Sequence, residues 1–123
     1  MSKKILVVDD SLMVRIQVRK ALGDGFEITD AVDGLDALEQ LAANRDTALI
    51  ICDVNMPKMN GIDFLKSRAE DAELARVPVV MLTTEGQQTL IEHARQLGAL
   101  AWLLKPFKPE NLLAVARKIT AAA

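Results

Sequence analysis

The sequence predicts an α/β fold: a doubly wound sheet of five parallel strands with five helices covering its two faces. Three observations predict it. Short apolar runs rich in β-branched residues alternate five times with segments whose apolar residues recur every three or four positions, and such alternation builds parallel sheets. Two of the runs, at 5–8 and 48–52, are apolar on both sides of the pleat, as strands buried on both faces are. Glycines and prolines fall at or next to the junctions between segments, where chain reversal needs them.

The elements follow in order. The first strand is KILVV, 4–8. The helix after it carries Val14, Val18 and Leu22 on one face and closes at Gly23 and Gly25. The second strand, FEITDA (26–31), mixes apolar and polar positions and suits a sheet edge. Asp33-Gly34 opens the second helix, whose buried face is expected to hold Leu35, Leu38 and Leu41 or Ala42. The third strand is ALIIC, 48–52. Its Cys52 is expected to be a buried thiol. Ile62, Leu65 and Ala69 mark the third helix. The fourth strand, VPVVML (77–82), has Pro78 near its start, where a missing donor is tolerated. The fourth helix starts near Gly86, presents Leu90, Ala94 and Leu97, and ends at Gly98. ALAWLL (99–104) is the fifth strand. Pro109 sits in the first turn of the last helix, ahead of Leu112, Ala116 and Ile119. Right-handed crossovers leave few arrangements, and strand order 2-1-3-4-5 is the simplest. In that order the chain reverses direction between strands 1 and 3, so a crevice opens there beyond their carboxyl ends.

Composition narrows the function classes. A chain of 123 residues is expected to form one domain, 1–123. A net charge of −2 gives no general attraction to nucleic acid or an anionic membrane. No apolar run approaches the roughly 20 residues that span a bilayer, and the run after Lys3-Lys4 is too short for a signal peptide. One cysteine leaves no internal disulfide framework. The expectation is a cytoplasmic protein.

Four strands end in residues able to do chemistry. Strand 1 ends at Asp9-Asp10, strand 3 at Asp53, strand 4 at Thr83-Thr84, and strand 5 runs into Lys105-Pro106. The fold brings all of them to one edge, with the three acids flanking the crevice. Carboxylates so close repel one another, so without a cation at least one should have a raised pKa. A hard divalent cation relieves the repulsion. Oxygen donors favour Mg²⁺ or Ca²⁺ over zinc, and Mg²⁺ suits a few carboxylates, a backbone carbonyl, waters and a phosphate oxygen. Plainer readings compete. Asp10 or Ser11 could cap the helix beginning near Leu12, and Thr83 or Thr84 the helix near Gly86. Lys105 could be an ordinary surface lysine, although a Lys-Pro step at a strand end is a candidate for a cis peptide. His93 stands alone, so a histidine metal site has no support. Met13, Met56, Met59 and Met81 are expected to be packing residues. Acids, a hydroxyl and an ammonium around a metal suit phosphoryl transfer, with a carboxylate as acceptor. The turn DDSLMVR has no glycine to cradle a nucleotide, and neither GxxxxGK[ST] nor GxGxxG is present.

These residues resemble the receiver domain of two-component response regulators. Asp9-Asp10, Asp53, Thr83 and Lys105-Pro106 match the family's motif in order and spacing. DVNMPKMNG (53–61) is similar to its D-x-x-M-P-x-M-x-G segment, and LLKPF to its lysine-proline end. The match covers essentially the whole chain, and with no output domain in the sequence it resembles the single-domain chemotaxis (CheY-like) type, with a flavodoxin/CheY-like fold.

The resemblance implies that Asp53 accepts a phosphoryl group from a sensor histidine kinase. It implies that Asp9, Asp10, Asp53 and the backbone carbonyl of Asn55 hold Mg²⁺, Asp9 through a water. Lys105 would pair with the phosphoryl oxygens and Thr83 would hydrogen-bond to them. Asn55 and Glu85 fall where family members tune dephosphorylation, with a phosphatase as a further partner. Trp102 stands where the family usually has Tyr or Phe as a switch, and a bulky indole is expected to rotate inward less fully. The switching surface would be helix 4, strand 5 and helix 5, about 86–119, with His93, Arg95, Lys108, Arg117 and Lys118, acting on a protein target such as a motor switch. The chain would catalyse only its own phosphotransfer and dephosphorylation and would not be an enzyme in the usual sense. Rival uses are a phosphate sink, a phosphorelay intermediate, or an adaptor that ignores phosphate. A phosphoaspartate hydrolase is disfavoured because Asn55 stands where a second acid is needed. A flavin carrier is disfavoured by the absence of a hydroxyl- and glycine-rich phosphate loop and of tyrosine.

Overall fold

A computed structural model describes residues 2–121. The strands are β1 (Lys3–Val8), β2 (Phe26–Ala31), β3 (Thr47–Cys52), β4 (Val79–Thr83) and β5 (Ala99–Leu104). The helices are α1 (Leu12–Leu22), α2 (Gly34–Ala43), α3 (Gly61–Ala69), α4 (Gln88–Gln96) and α5 (Pro109–Ala121). All neighbouring strands pair in parallel, and the sheet order is β2-β1-β3-β4-β5, as the sequence predicts.

The period-two pleat divides the core in two. Leu6, Val8, Ile50, Cys52, Val79 and Met81 face one way, against Ala37, Leu41, Phe64, Leu65 and Ala94 of α2, α3 and α4. Ile5, Val7, Leu49, Ile51, Val80 and Leu82 face the other, against Val18, Leu22, Leu112 and Ala116 of α1 and α5. Strands apolar on both faces need both covers, which is why β1, β3 and β4 are central. Cys52 is fully buried, as expected.

Three helices are capped by the residue that precedes them. The Ser11 hydroxyl accepts from the Val14 amide, Asp33 from Asp36, and Asn60 from Asp63. Ser11, not Asp10, therefore caps α1. Neither Thr83 nor Thr84 caps α4. That helix starts later than expected, after Gln87, and has no side-chain cap.

Some face assignments change. The buried stripe of α2 is Gly34, Ala37 and Leu41, while Leu35 and Ala42 are exposed. A narrower stripe suffices because Met59 packs where a side chain at position 34 would lie. On α3 Ala69 is exposed and Arg68 is buried instead. The Arg68 guanidinium reaches the carbonyls of Val77 and Ala75 at 3.4 Å, and burial pushes its pKa down. Met13 is not a packing residue: it is 64% exposed, because it falls on the outer side of α1. Met81 is in the core, and Met56 and Met59 pack against it.

One backbone approach fixes the loop between β3 and α3. The Gly61 amide donates to the Val54 carbonyl at 2.8 Å. A Cβ on Gly61 would collide with the carbonyl oxygen of Asp53, and backbone cannot swing aside as a side-chain tip can. Gly61→Ala is therefore expected to cost about 1–3 kcal/mol, the scale of overpacking a tight site. Urea unfolding measures it as a lower midpoint with unchanged slope. An unchanged midpoint would show that the loop has room.

Candidate functional site

The β strands deliver the acids to one place. Val8 pairs with Cys52 across β1 and β3, so the residues just beyond each, Asp9 and Asp53, emerge side by side. The Asp9 amide continues the ladder to Ala31 of β2 at 3.0 Å, and the Asp53 amide bonds to Val8 at 3.0 Å. Asp9, Asp10 and Asp53 each offer a carboxylate oxygen, and these lie within 4.8 Å of one another. Asp9 is 2% and Asp53 7% exposed. Asp10 is exposed and opens the site to solvent.

Lys105 closes the fourth side. It follows β5, its amide bonds to the Thr83 carbonyl at 2.9 Å, and a cis peptide joins it to Pro106. Its ammonium donates to Asp9 Oδ2 at 2.7 Å and to Asp53 Oδ2 at 3.0 Å. The remaining oxygens are held by main chain: Asp9 Oδ1 accepts from the Ser11 amide at 2.9 Å, and Asp53 Oδ1 from the Val54 amide at 2.7 Å. Lys105 is thus no ordinary surface lysine.

Charge here is unbalanced. Burial raises the pKa of Asp9 despite its bonds to Lys105 and Ser11, and the charge of Asp53 adds a smaller push. The sequence leads one to expect a raised carboxylate, but from mutual repulsion, whereas the larger cause is desolvation. Burial alone would lower the Lys105 pKa. Its hydrogen bonds to Asp9 and Asp53, with their charges, outweigh that and raise it. Burial also pushes the Cys52 thiol up, helped by the charges of Asp53 and Asp9.

Thr83, at the end of β4, is fully buried, and its hydroxyl accepts from the Glu85 amide at 3.2 Å. Glu85 is a junction. Its carboxylate accepts from the Asn55 amide at 2.7 Å, and its carbonyl accepts from the Trp102 indole N–H at 2.9 Å. The sequence places Asn55, Glu85 and Trp102 separately at this edge, and the structure joins them. His93, Arg95, Lys108, Arg117 and Lys118 are all exposed. Sequence reasoning missed Arg15 and Asp30. The Arg15 guanidinium donates to the Asp9 carbonyl at 2.7 Å and to Asp30 of β2 at 3.3 Å. The available signal was spacing: Arg15 stands one helical turn beyond the Ser11 cap.

The model of the response regulator receiver domain family matches residues 5–117. The chain is 40% identical over 111 residues to the chemotaxis protein CheY1 of Helicobacter pylori, covering 89% of this chain and 90% of that one. Among solved structures, Vibrio cholerae chemotaxis protein CheY4 matches with a TM-score of 0.89 at 38% identity, over 97% of this chain and 99% of that one. The CheX-CheY-BeF3-Mg²⁺ complex of Borrelia burgdorferi matches with a TM-score of 0.87 at 27% identity, over 95% and 88%.

The raised Asp9 pKa has a sign that can be tested. A buried acid that prefers its neutral form binds its proton more tightly folded than unfolded. Its contribution to stability therefore falls as pH rises from the ordinary value of 3.8 through the raised one. Without divalent cation, Asp9→Asn is expected to be more stable than the parent protein at neutral pH. The difference should shrink on acidification toward pH 3.8 and below. Urea titrations of both proteins in chelator, at several pH values, measure it. A variant less stable than the parent at neutral pH would show that the Lys105 pairing outweighs burial.

Proposed function

The chain belongs to the response regulator receiver domain family, and from that premise we propose that it is a phosphorylation-controlled switch with Asp53 as acceptor. The observation that carries this reading is the Lys105 ammonium bridging Asp9 and Asp53, with Asp10 beside them. One cation against three acids leaves the cluster short of positive charge.

The donor set fits a hard divalent cation, since it is all oxygen and carries excess negative charge. Asp9, Asp10, Asp53 and the backbone carbonyl of Asn55 would hold Mg²⁺. Bound there, Mg²⁺ would neutralise charge on the acids and on the phosphoryl oxygens. The chain's own residues do the rest. Asp53 presents a carboxylate oxygen to the phosphorus of a phosphohistidine on a sensor kinase. A P–O bond forms to Asp53, the P–N bond breaks, and its electron pair stays with the imidazole. Lys105, already bonded to Asp53 Oδ2, is placed to follow the charge onto the phosphoryl oxygens. The product carries about two negative charges in place of one, with strong acceptor oxygens.

The buried Thr83 hydroxyl can turn to donate to those oxygens. Doing so draws on the turn it shares with Glu85, whose carbonyl holds the Trp102 indole. The change then reaches α4, β5 and α5, where a pocket of about 70 Å³ lies beside Trp102 and is lined by Ile91, Arg95 and Leu100. Asn55 and Glu85, bonded to each other at the acceptor's rim, would set phosphoryl lifetime by positioning an attacking water. Similarity to chemotaxis proteins supports an output in chemotaxis or motility through a protein target in the cytoplasm.

Acetyl phosphate with Mg²⁺ tests the reading. One phosphoryl group should add to the protein by intact mass, and Trp102 fluorescence should change with it. Asp53→Ala should abolish both, and Lys105→Ala should slow the addition about 10²-fold, as loss of one pre-organised charge donor does. No adduct on the parent protein, or one that persists in Asp53→Ala, would sink the proposal.

A further inference from the structure

We infer that Arg15 is a positioning residue for the acid pair, acting through the main-chain carbonyl of Asp9. This rests on the Mg²⁺ reading above. The question it answers is what aims Asp10. Asp9 and Asp53 each have both carboxylate oxygens bonded, to Lys105 and to a backbone amide. Asp10 is exposed, and among the described residues no hydrogen bond or ion pair engages its carboxylate. Its direction is therefore set by the peptide that joins it to Asp9. The amide of Asp9 is fixed to Ala31 at 3.0 Å, and the Asp9 carbonyl, which belongs to the next peptide, the one that joins Asp9 to Asp10, accepts from Arg15 Nη1 at 2.7 Å.

The plain alternative is that Arg15 only pairs with Asp30. Three observations weigh against it. Asp30 already has a cation, Arg19, at 2.7 Å, while Arg15 is the more distant partner at 3.3 Å. The shortest bond Arg15 makes is to the neutral carbonyl. Its side chain is only 11% exposed, against 46% for Arg19, and burying a guanidinium is costly unless its hydrogen bonds matter. Asp30 then reads as a brace on edge strand β2, holding the fork of Arg15 on the turn that carries the acids. A planar guanidinium can grip a carbonyl and a carboxylate at once, which an ammonium does poorly.

Charge and geometry predict opposite signs. As a positive charge beside a cation site, Arg15 would weaken Mg²⁺ binding, so its removal would tighten it. As a positioning residue, its removal loosens binding, by about 10–100-fold on the scale of groups that orient metal ligands. The test titrates Mg²⁺ into the full chain without phosphodonor, following Trp102 fluorescence and thermal unfolding, and then measures acetyl phosphate labelling over a range of Mg²⁺. Arg15→Met should raise the Mg²⁺ concentration for half-saturation by at least about tenfold, with the labelling rate recovering at saturating Mg²⁺. Arg15→Lys, which keeps the charge, should also bind less tightly. Asp30→Asn should shift the same way by less, and Arg19→Met should match the parent. If Arg15→Met does not fold, Arg15→Lys and Asp30→Asn decide the matter by the same titration. Binding as tight as the parent's or tighter overturns the inference, as does a labelling rate lowered equally at every Mg²⁺ concentration. A parent protein that neither binds Mg²⁺ nor labels would instead overturn the function from which this inference starts.

Discussion

Like charge forced together at the mouth of a parallel sheet is the constraint on which the rest of this structure depends. The topology alone delivers Asp9 and Asp53 to adjacent strand ends, because β1 and β3 are neighbours although β2 lies between them in sequence. Nothing in that arrangement lowers the repulsion. It has to be opposed by fixed groups: the Lys105 ammonium, the amides of Ser11 and Val54, and the grip of Arg15 on the Asp9 carbonyl. The apolar interior supplies the stiffness against which those groups act. Ile5 to Val8 and Leu49 to Cys52 are at most 1% exposed, so neither strand end can drift to relieve the strain.

That stiffness has a cost at Asp9. Its carboxylate is buried deeply enough that desolvation outweighs its bonds to Lys105 and Ser11. A site optimised for stability alone would put an amide there. Keeping the acid leaves three carboxylates assembled with only one ammonium against them. In the proposed function, a cation bound there would gain what the acid costs the protein alone. Stability lost at a site and regained on binding is how a switch separates its two states energetically.

The fold and the acidic trio could be read from the sequence because both rest on strong, local signals. Apolar runs such as 5–8 and 48–52 declare buried strands, and acids standing directly at their ends declare an edge where chemistry gathers. Helix faces were less clear. Leu35 has the right spacing for the α2 core but lies outside, and the inward position beside it is Gly34, against which Met59 packs from the loop after β3. Met13, expected to pack, lies off the Val14, Val18 and Leu22 face and is exposed, and on α3 Arg68 is buried while Ala69 is not. Arg15 gave no apolar or motif signal at all. Its role depends on the carbonyl of a residue six positions earlier and on an acid of β2, a three-way contact that only the folded chain assembles.

Trp102 shows how one atom can change the consequence of a substitution. On size alone an indole in place of a smaller ring argues for restricted movement. The structure adds that the ring is tied down by its N–H to the Glu85 carbonyl at 2.9 Å. Phenylalanine could not make that bond, and this half-buried indole N–H would lose a partner without it. Because Glu85 also bonds Thr83 through its amide and Asn55 through its carboxylate, one residue's main chain and side chain join Thr83 and Asn55 to the aromatic ring. In the switch proposed above, the ring would therefore not have to swing into a vacated space for the two ends to communicate. A shift of the turn 83–85 would carry the carbonyl to which the indole is bonded, and with it the ring beside Leu100 and Ile91. The large aromatic is thus coupled to the turn by a main-chain hydrogen bond that a ring without a donor could not make.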